Sequence, residues 1–321
     1  MKRRFWLAIG LVLILGLVLG CGSEPRDQGE TATKAAPPKR QVALVMKTLT
    51  NPFFVEMEKG ARQAERELDV NLIVKTGAKE TSIEQQIAIV DELIRNRVDA
   101  IVIAPASSVE IIPMLRKARE AKIVIVNIDN QLDPDVSRRM GLDDVPFISV
   151  DNEKGAYLSA KFISDQIRKP TKVAILEGIR TARNAGQRKA GALKAFRENP
   201  NARVVAMATA NWKIDEAYEV TARLFQKDPD IGALFCANDM MALGAIHYLK
   251  QAKKAGVLVA GFDALDEAKK ALREGSLQVT VDQQAARQGY LGVRTAVDML
   301  AGQRPAALTR VEALPLYRER K

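Results

Sequence analysis

The chain has 321 residues, 47% apolar and 27% charged, which is enough to bury a full globular core and long for one domain, so two lobes are expected. Its net charge is +10, of which Lys2, Arg3 and Arg4 supply three. The remaining excess is scattered without a basic cluster, which argues against a nucleic-acid partner and reads as solvated surface with some attraction to anionic headgroups.

In chain order, the first element is an apolar run from Phe5 to Gly20. At sixteen residues it is short of the roughly 20 that a bilayer-spanning helix needs. With the cationic residues before it and Val18-Leu19-Gly20 leading to Cys21, residues 1–20 read as a signal peptide. The junction resembles a bacterial lipobox, which implies that Cys21 takes a diacylglyceryl group and becomes the mature N-terminus. An uncleaved anchor is the alternative, and both place the functional part outside the cytoplasm. The only other cysteine, Cys236, sits in an apolar run and reads as a buried structural thiol, so no disulfide is expected once Cys21 is lipidated.

Residues 21–40 are small and polar with little to bury, so they are expected to form a flexible tether. Ten short β-branched and aliphatic runs follow: 41–46, 70–75, 98–104, 122–128, 147–150, 171–177, 203–209, 231–237, 257–262 and 276–281. Runs without alternation indicate strands covered on both faces. The intervening segments have helical period; Ile83, Ile87, Val90 and Ile94 share one face, as do Phe54, Met57, Ala61, Ala64 and Leu68. Nine helices alternating with ten strands predict an α/β chain of two doubly wound parallel-sheet lobes. A last helix, about 284–301, returns to the first lobe. The lobes are expected to hold 41–150 plus 283–311 and 151–282 plus 312–321, joined by a three-segment hinge near Val150-Asp151, Asp282-Gln283 and 309–313.

In open parallel sheets ligands bind beyond the carboxyl ends of the strands, and those positions here are polar or aromatic. They are Lys47, Asn51, Phe53 and Phe54 after the first strand, Asp129 and Asn130 after the fourth, and Arg183 and Arg188 after the sixth. Asn211-Trp212, Asn238-Asp239, Asp263 and Gln283 follow the seventh to tenth. A sugar calls for this mixture, because each hydroxyl both donates and accepts, while the apolar C–H faces of the ring stack on aromatic side chains. Asn51 before Pro52 serves equally as a helix cap, Phe54 as core and Arg188 as a surface helix residue. Asp239 reads as a cap and is left out of the site. Asp129 and Asp263 end apolar strands, where a carboxylate needs a partner, and Lys47 and Arg188 are expected to keep both ionised.

Residues 47–54 (KTLTNPFF), 126–129 (VNID), 236–245 (CANDMMALGA), 261–263 (GFD) and 280–283 (TVDQ) resemble the periplasmic sugar-binding proteins of the ribose, allose and galactose type. The resemblance covers about 41–311 and implies a type I periplasmic binding protein fold, a monomer, and no cofactor or metal. It implies that Asn51, Phe53, Phe54, Asp129, Arg188, Trp212, Asn238, Asp263 and Gln283 line a monosaccharide site, and that an ABC transporter permease with its ATPase receives the sugar. Ribose-binding relatives carry Arg after the aspartate that is here Asp129, whereas this chain has Asn130. Lys47-Thr48-Leu49 and 104–109 look closer to allose-binding members, in which a lysine at this place contacts the sugar. The resemblance therefore favours allose, then ribose, with a cyclic polyol as an alternative.

Other classes fit less well. The single histidine, His247, lies in a helical run, and the chain has no HExxH, CxxC, GxSxG or GxxxxGK[ST] motif, so no enzyme is expected. A lac-repressor type regulator would begin with a helix-turn-helix. A receptor module that presents a sugar or a furanosyl signal to a membrane sensor shares all these residues and stays open.

Overall fold

The computed structural model describes residues 38–318. The expected signal peptide, Cys21, all but the last three tether residues, and 319–321 lie outside the described residues. Lys39 and Arg40, assigned above to the tether, are already tied to the folded body: Lys39 pairs with Asp69, and Arg40 with Asp99 at 2.8 Å. No helix among the described residues is long and apolar enough to cross a membrane.

The first sheet contains β1 (Gln41–Met46), β2 (Asn71–Thr76), β3 (Ala100–Ile103), β4 (Val124–Ile128), β5 (Phe147–Val150) and β11 (Leu308–Val311), in the order β11-β5-β4-β3-β1-β2. All its pairings are parallel. It carries α1 (Pro52–Leu68), α2 (Ile83–Arg95), α3 (Ile112–Glu120) and α4 (Pro134–Arg139). The second sheet contains β6 (Thr171–Glu177), β7 (Ala202–Thr209), β8 (Ile231–Cys236), β9 (Leu258–Ala260), β10 (Val279–Asp282) and β12 (Leu314–Tyr317), in the order β12-β10-β9-β8-β6-β7. With it run α5 (Asn152–Ser164), α6 (Arg183–Arg197), α7 (Ile214–Lys227), α8 (Asp239–Gln251) and α9 (Asp266–Glu274). The last helix, α10 (Ala285–Leu300), packs on α1 and on β3 and β4 of the first sheet.

The continuous apolar runs of β3, β5 and β8 are buried along almost their whole length, as strands sandwiched between helices must be. Six expected strand starts shift, those of β2 and β9 by one residue, to Asn71 and Leu258. Val98, Lys122 and Ser276 turn their amides back to the carbonyls of Leu93, Arg119 and Ala271 and so belong to helix exits, whereas β7 begins one residue early at Ala202. The helix starts follow capping chemistry: Asn51 Oδ1 accepts from Phe53 N at 3.0 Å with Pro52 at N1, and Asp151 Oδ1 accepts from Lys154 N at 3.0 Å. Helices α1 and α10 approach closely enough that a Cβ on Gly60 would lie 1.7 Å from the Ala286 carbonyl oxygen, and one on Gly289 2.0 Å from that of Met57.

Strands β11 and β12 were not among the ten expected. Both are four-residue edge strands of mixed burial; β11 (LTRV) is not an apolar run, and β12 (LPLY) is one interrupted by proline. β12 pairs antiparallel with β10 and contains Pro315, which an edge tolerates because no ladder donor is needed on its outer side. The second sheet is therefore not wholly parallel. The chain passes between the sheets at Asp151, at Gln283–Gln284 and at 312–313, and the three passages are stitched together. Arg310 donates to the Val150 carbonyl at 3.0 Å, and Gln284 Nε2 to that of Glu312 at 2.8 Å.

Candidate functional site

Both sheets direct their carboxyl ends at one small, nearly filled chamber whose cavity volume is about 20 Å³, far below the roughly 300 to 1,000 Å³ of clefts that take drug-sized ligands. From the first sheet, Lys47 leaves β1, Asn51 caps α1, and Phe53 and Phe54 occupy its first turn with ring centroids 5.1 Å apart, edge to face. Lys47 Nζ stands 5.5 Å from the Phe54 ring centroid and 3.1 Å from Asp129 Oδ2. That contact is an ion pair out of line for a hydrogen bond, so Asp129 Oδ2 has no hydrogen-bond partner within the protein.

Asp129 adopts left-handed backbone geometry, φ +61°, immediately after β4. Its amide donates to the Ile148 carbonyl at 3.1 Å, and its own carbonyl accepts from Ser149 Oγ at 2.8 Å, which offsets the strain. On the second sheet, Trp212 (φ +66°) follows β7, and Asp263 (φ +129°) follows β9, anchored by its amide to the Val281 carbonyl at 2.8 Å. Non-glycine residues in this region concentrate at sites where side-chain direction outweighs backbone comfort.

Arg188 of α6 is almost wholly buried and organises the second wall. It donates Nε to Asn152 Oδ1 at 2.9 Å and Nη1 to the Ala237 carbonyl at 2.8 Å, and it stands 3.5 Å from Asp263 Oδ1. Its guanidinium lies 4.0 Å from the Phe262 ring centroid and 5.3 Å from that of Trp212. Gln283 Nε2 donates to the same Asp263 oxygen at 2.5 Å. Asn238 caps α8 through Met241 N at 2.9 Å and donates Nδ2 to the Trp212 carbonyl at 3.3 Å.

Burial pushes the Asp263 carboxyl well above the usual carboxylate range, with Arg188 opposing and the charge of Asp239 adding to the rise. Burial also lowers the Arg188 guanidinium, with Asp263 opposing. Desolvation at Asp263 thus acts against Arg188, which stands 3.5 Å away and favours the ionised form.

The periplasmic binding protein domain family matches residues 42–304. The chain belongs to this family. It is 41% identical over 274 residues to the D-ribose/D-allose-binding protein of Pseudomonas aeruginosa, covering 84% of this chain and 85% of that one. It is 33% identical over 260 residues to the D-allose-binding periplasmic protein of Escherichia coli, covering 80% and 84%. A solved periplasmic solute-binding protein of an ABC transporter from Actinobacillus succinogenes, with bound D-allose, superposes with a TM-score of 0.83 at 38% identity, covering 87% of this chain and 98% of that one. The fold is that of the type I periplasmic binding proteins, a non-enzymatic family that acts outside the cytoplasm.

In this periplasmic binding protein, ten of the eleven residues expected to contact a ligand line the chamber, and Asn130 does not. Asn130 is wholly buried beside it, donating Nδ2 to the Pro105 carbonyl at 3.0 Å and accepting from the Asn184 backbone amide of the second lobe at 3.2 Å. Asp239 is not the cap of α8, a role that Asn238 fills. Its carboxylate is buried and joins loops instead, accepting from Thr280 Oγ1 at 2.7 Å and Leu265 N at 2.9 Å. Burial drives it up to about 6. Two lining residues, Glu80 and Asn184, were missed. Glu80 sits in the polar turn between β2 and α2 and Asn184 in the polar first turn of α6, where nothing local separates a chamber residue from a solvated one; a position following a strand would have nominated Glu80.

His247 is exposed on α8 with its ring 5.4 Å from that of Tyr218, and Cys236 is buried in β8, where desolvation pushes its thiol up. Neither touches the chamber.

Proposed function

We propose that this periplasmic binding protein captures a monosaccharide, allose first and ribose next, between its two lobes and delivers it to an ABC importer, while a lipid on Cys21 holds it at the membrane. The observation that carries the reading is the set of buried polar atoms without a hydrogen bond on chamber residues: Asn184 Oδ1, Trp212 Nε1, Gln283 Oε1 and Asp129 Oδ2, the last held only by the charge of Lys47. Buried polar atoms are nearly always paired, and a ring of hydroxyls supplies donors and acceptors to both walls at once. Phe53, Phe54 and Trp212 offer apolar faces for the ring carbons. The relatives named for allose and ribose support the choice of sugar.

A ligand bonded to both walls stabilises the closed arrangement by its difference in affinity for closed and open forms, and only that difference drives closure. The three stitched passages form the hinge. The functional test is calorimetric titration of detergent-solubilised protein, stripped of ligand by unfolding and refolding, against allose, ribose, galactose, glucose, xylose and myo-inositol. Tight binding of one sugar supports the assignment, and binding of none by a refolded protein removes it. The anchor is tested by intact mass: a diacylglyceryl increment is expected in the native protein and its loss in Cys21→Ser.

A further inference from the structure

We infer that Gln288 is a positioning residue for sugar binding, holding the backbone of Gln283 so that the Gln283 side chain is presented to the chamber; the inference rests on the sugar-binding reading above. Gln288 lies near the start of α10 and is wholly buried. The other buried residues of that helix are Ala285, Gly289, Gly292, Val293 and Ala296, small and apolar as a face packed on α1, β3 and β4 requires. An amide among them is costly to desolvate, and Gln288 recovers only part of that cost. Its Nε2 donates to the Gln283 carbonyl at 2.9 Å, while its Oε1 has no hydrogen-bond partner among the described residues. The bond is not a helix cap. The leading amides of α10 need acceptors, whereas Gln288 offers a donor, and the carbonyl it reaches precedes the helix, at the second passage between the lobes.

That carbonyl sits where the chamber meets the hinge. Gln283 follows β10 of the second sheet and precedes the helix that returns to the first, and Gln284 beside it is turned to φ +53° and bonded to the Glu312 carbonyl of the third passage at 2.8 Å. The Gln283 side chain has two tasks. Its Nε2 donates to Asp263 Oδ1 at 2.5 Å, the oxygen that also faces Arg188 at 3.5 Å, and its Oε1 is a buried acceptor with no hydrogen-bond partner among the described residues. It serves Asp263 and a sugar hydroxyl together only while its backbone is fixed, and Gln288 fixes it from the first lobe. An apolar side chain at 288 would fill the same face of α10 but leave the Gln283 carbonyl without that donor and free to reorient.

The test is a double-mutant cycle on the full-length protein that pairs Gln288→Met, close in shape but without a donor, with Gln283→Ala. Calorimetry reads affinity for the best-bound sugar of the panel, and urea unfolding checks that each variant folds. Gln288→Met is expected to bind that sugar about 3- to 10-fold more weakly than the native protein, the scale of one lost hydrogen bond. In the Gln283→Ala background the same substitution is expected to change affinity by less than about twofold, because no side chain remains to be positioned. Gln288→Leu carries the test if the methionine form does not fold. An equal loss in both backgrounds, or no loss in the native background, overturns the inference and leaves Gln288 a structural residue of α10. Failure of the native protein to bind any sugar of the panel removes the sugar reading itself, and the inference with it.

Discussion

Asn130 Oδ1, on the loop after β4, accepts a hydrogen bond of 3.2 Å from the backbone amide of Asn184 in the first turn of α6, across the gap between the lobes. Beside it, Ser108 Oγ accepts from the Arg183 amide at 3.0 Å, and the Ser108 amide donates to the Thr181 carbonyl at 3.2 Å. Helix α6 has Ala182 at its own N-cap position and no side-chain cap bond, so its leading amides are satisfied by the opposite lobe. Opening the cleft returns them to water.

Asn130→Ala is therefore expected to weaken sugar binding without changing the order of preference among sugars. Losing a cap costs about 0.5 to 2 kcal/mol, and the cost falls on the closed form alone, so affinity drops roughly 2- to 30-fold for every ligand. Titration against the sugar panel checks this, and small-angle scattering without ligand should show a larger radius of gyration than the native protein. A change in rank order would instead mark Asn130 as a ligand contact.

Asp263 and Arg188 are mutually dependent. Asp263→Ala strips Arg188 of its facing carboxylate at 3.5 Å and removes the acceptor held by Gln283. Truncating one member of a buried hydrogen-bonded pair costs about 2 to 5 kcal/mol, so affinity should fall at least 30-fold. Calorimetry reads the loss, while retained cooperative unfolding separates it from misfolding.

Stability of the unliganded protein should fall as pH rises. Asp239 titrates near 6 in the native state, above its ordinary value of 3.8, so between those pH values the native state binds more protons than the unfolded chain. Stability from this group is fully present below about pH 4 and is lost as pH rises through 6, on the order of 3 kcal/mol in all. Asp263 and Glu80, also raised, add a slope of the same sign. Denaturant unfolding at pH 5 and pH 7.5 measures the difference, and Asp239→Asn should reduce it.

Gly60→Ala probes the seam between α1 and α10. The new methyl would meet the Ala286 carbonyl at 1.7 Å, and that neighbour is backbone rather than a mobile side chain. A loss of about 3 kcal/mol is expected, at the upper end for overpacking, read as a lower urea midpoint. Gly186, with nothing within 4 Å of an added Cβ, is the control, and its alanine variant should be neutral or slightly stabilising.

Much of the molecule was written locally. The runs that became β1, β5 and β6 kept their expected ends, since a strand covered on both faces needs an unbroken apolar stretch that no turn imitates. Because ligand sites in such sheets sit at strand exits, ten chamber residues were recognisable as polar or aromatic side chains following those stretches. β11 and β12 were hidden because a four-residue edge strand, mixed in β11 and proline-interrupted in β12, takes its geometry from the neighbour it pairs with. Residue type and order along the chain therefore determined the two-lobed α/β fold and most of the chamber wall. Only the tertiary structure decided that Asn130 caps a helix of the other lobe, that Glu80 faces the chamber, that Asp239 joins two loops, and that burial acts against Arg188 at Asp263. Each of those depends on which distant group ends up within about 3 to 4 Å, and on how much water is removed when it does, which no local pattern encodes.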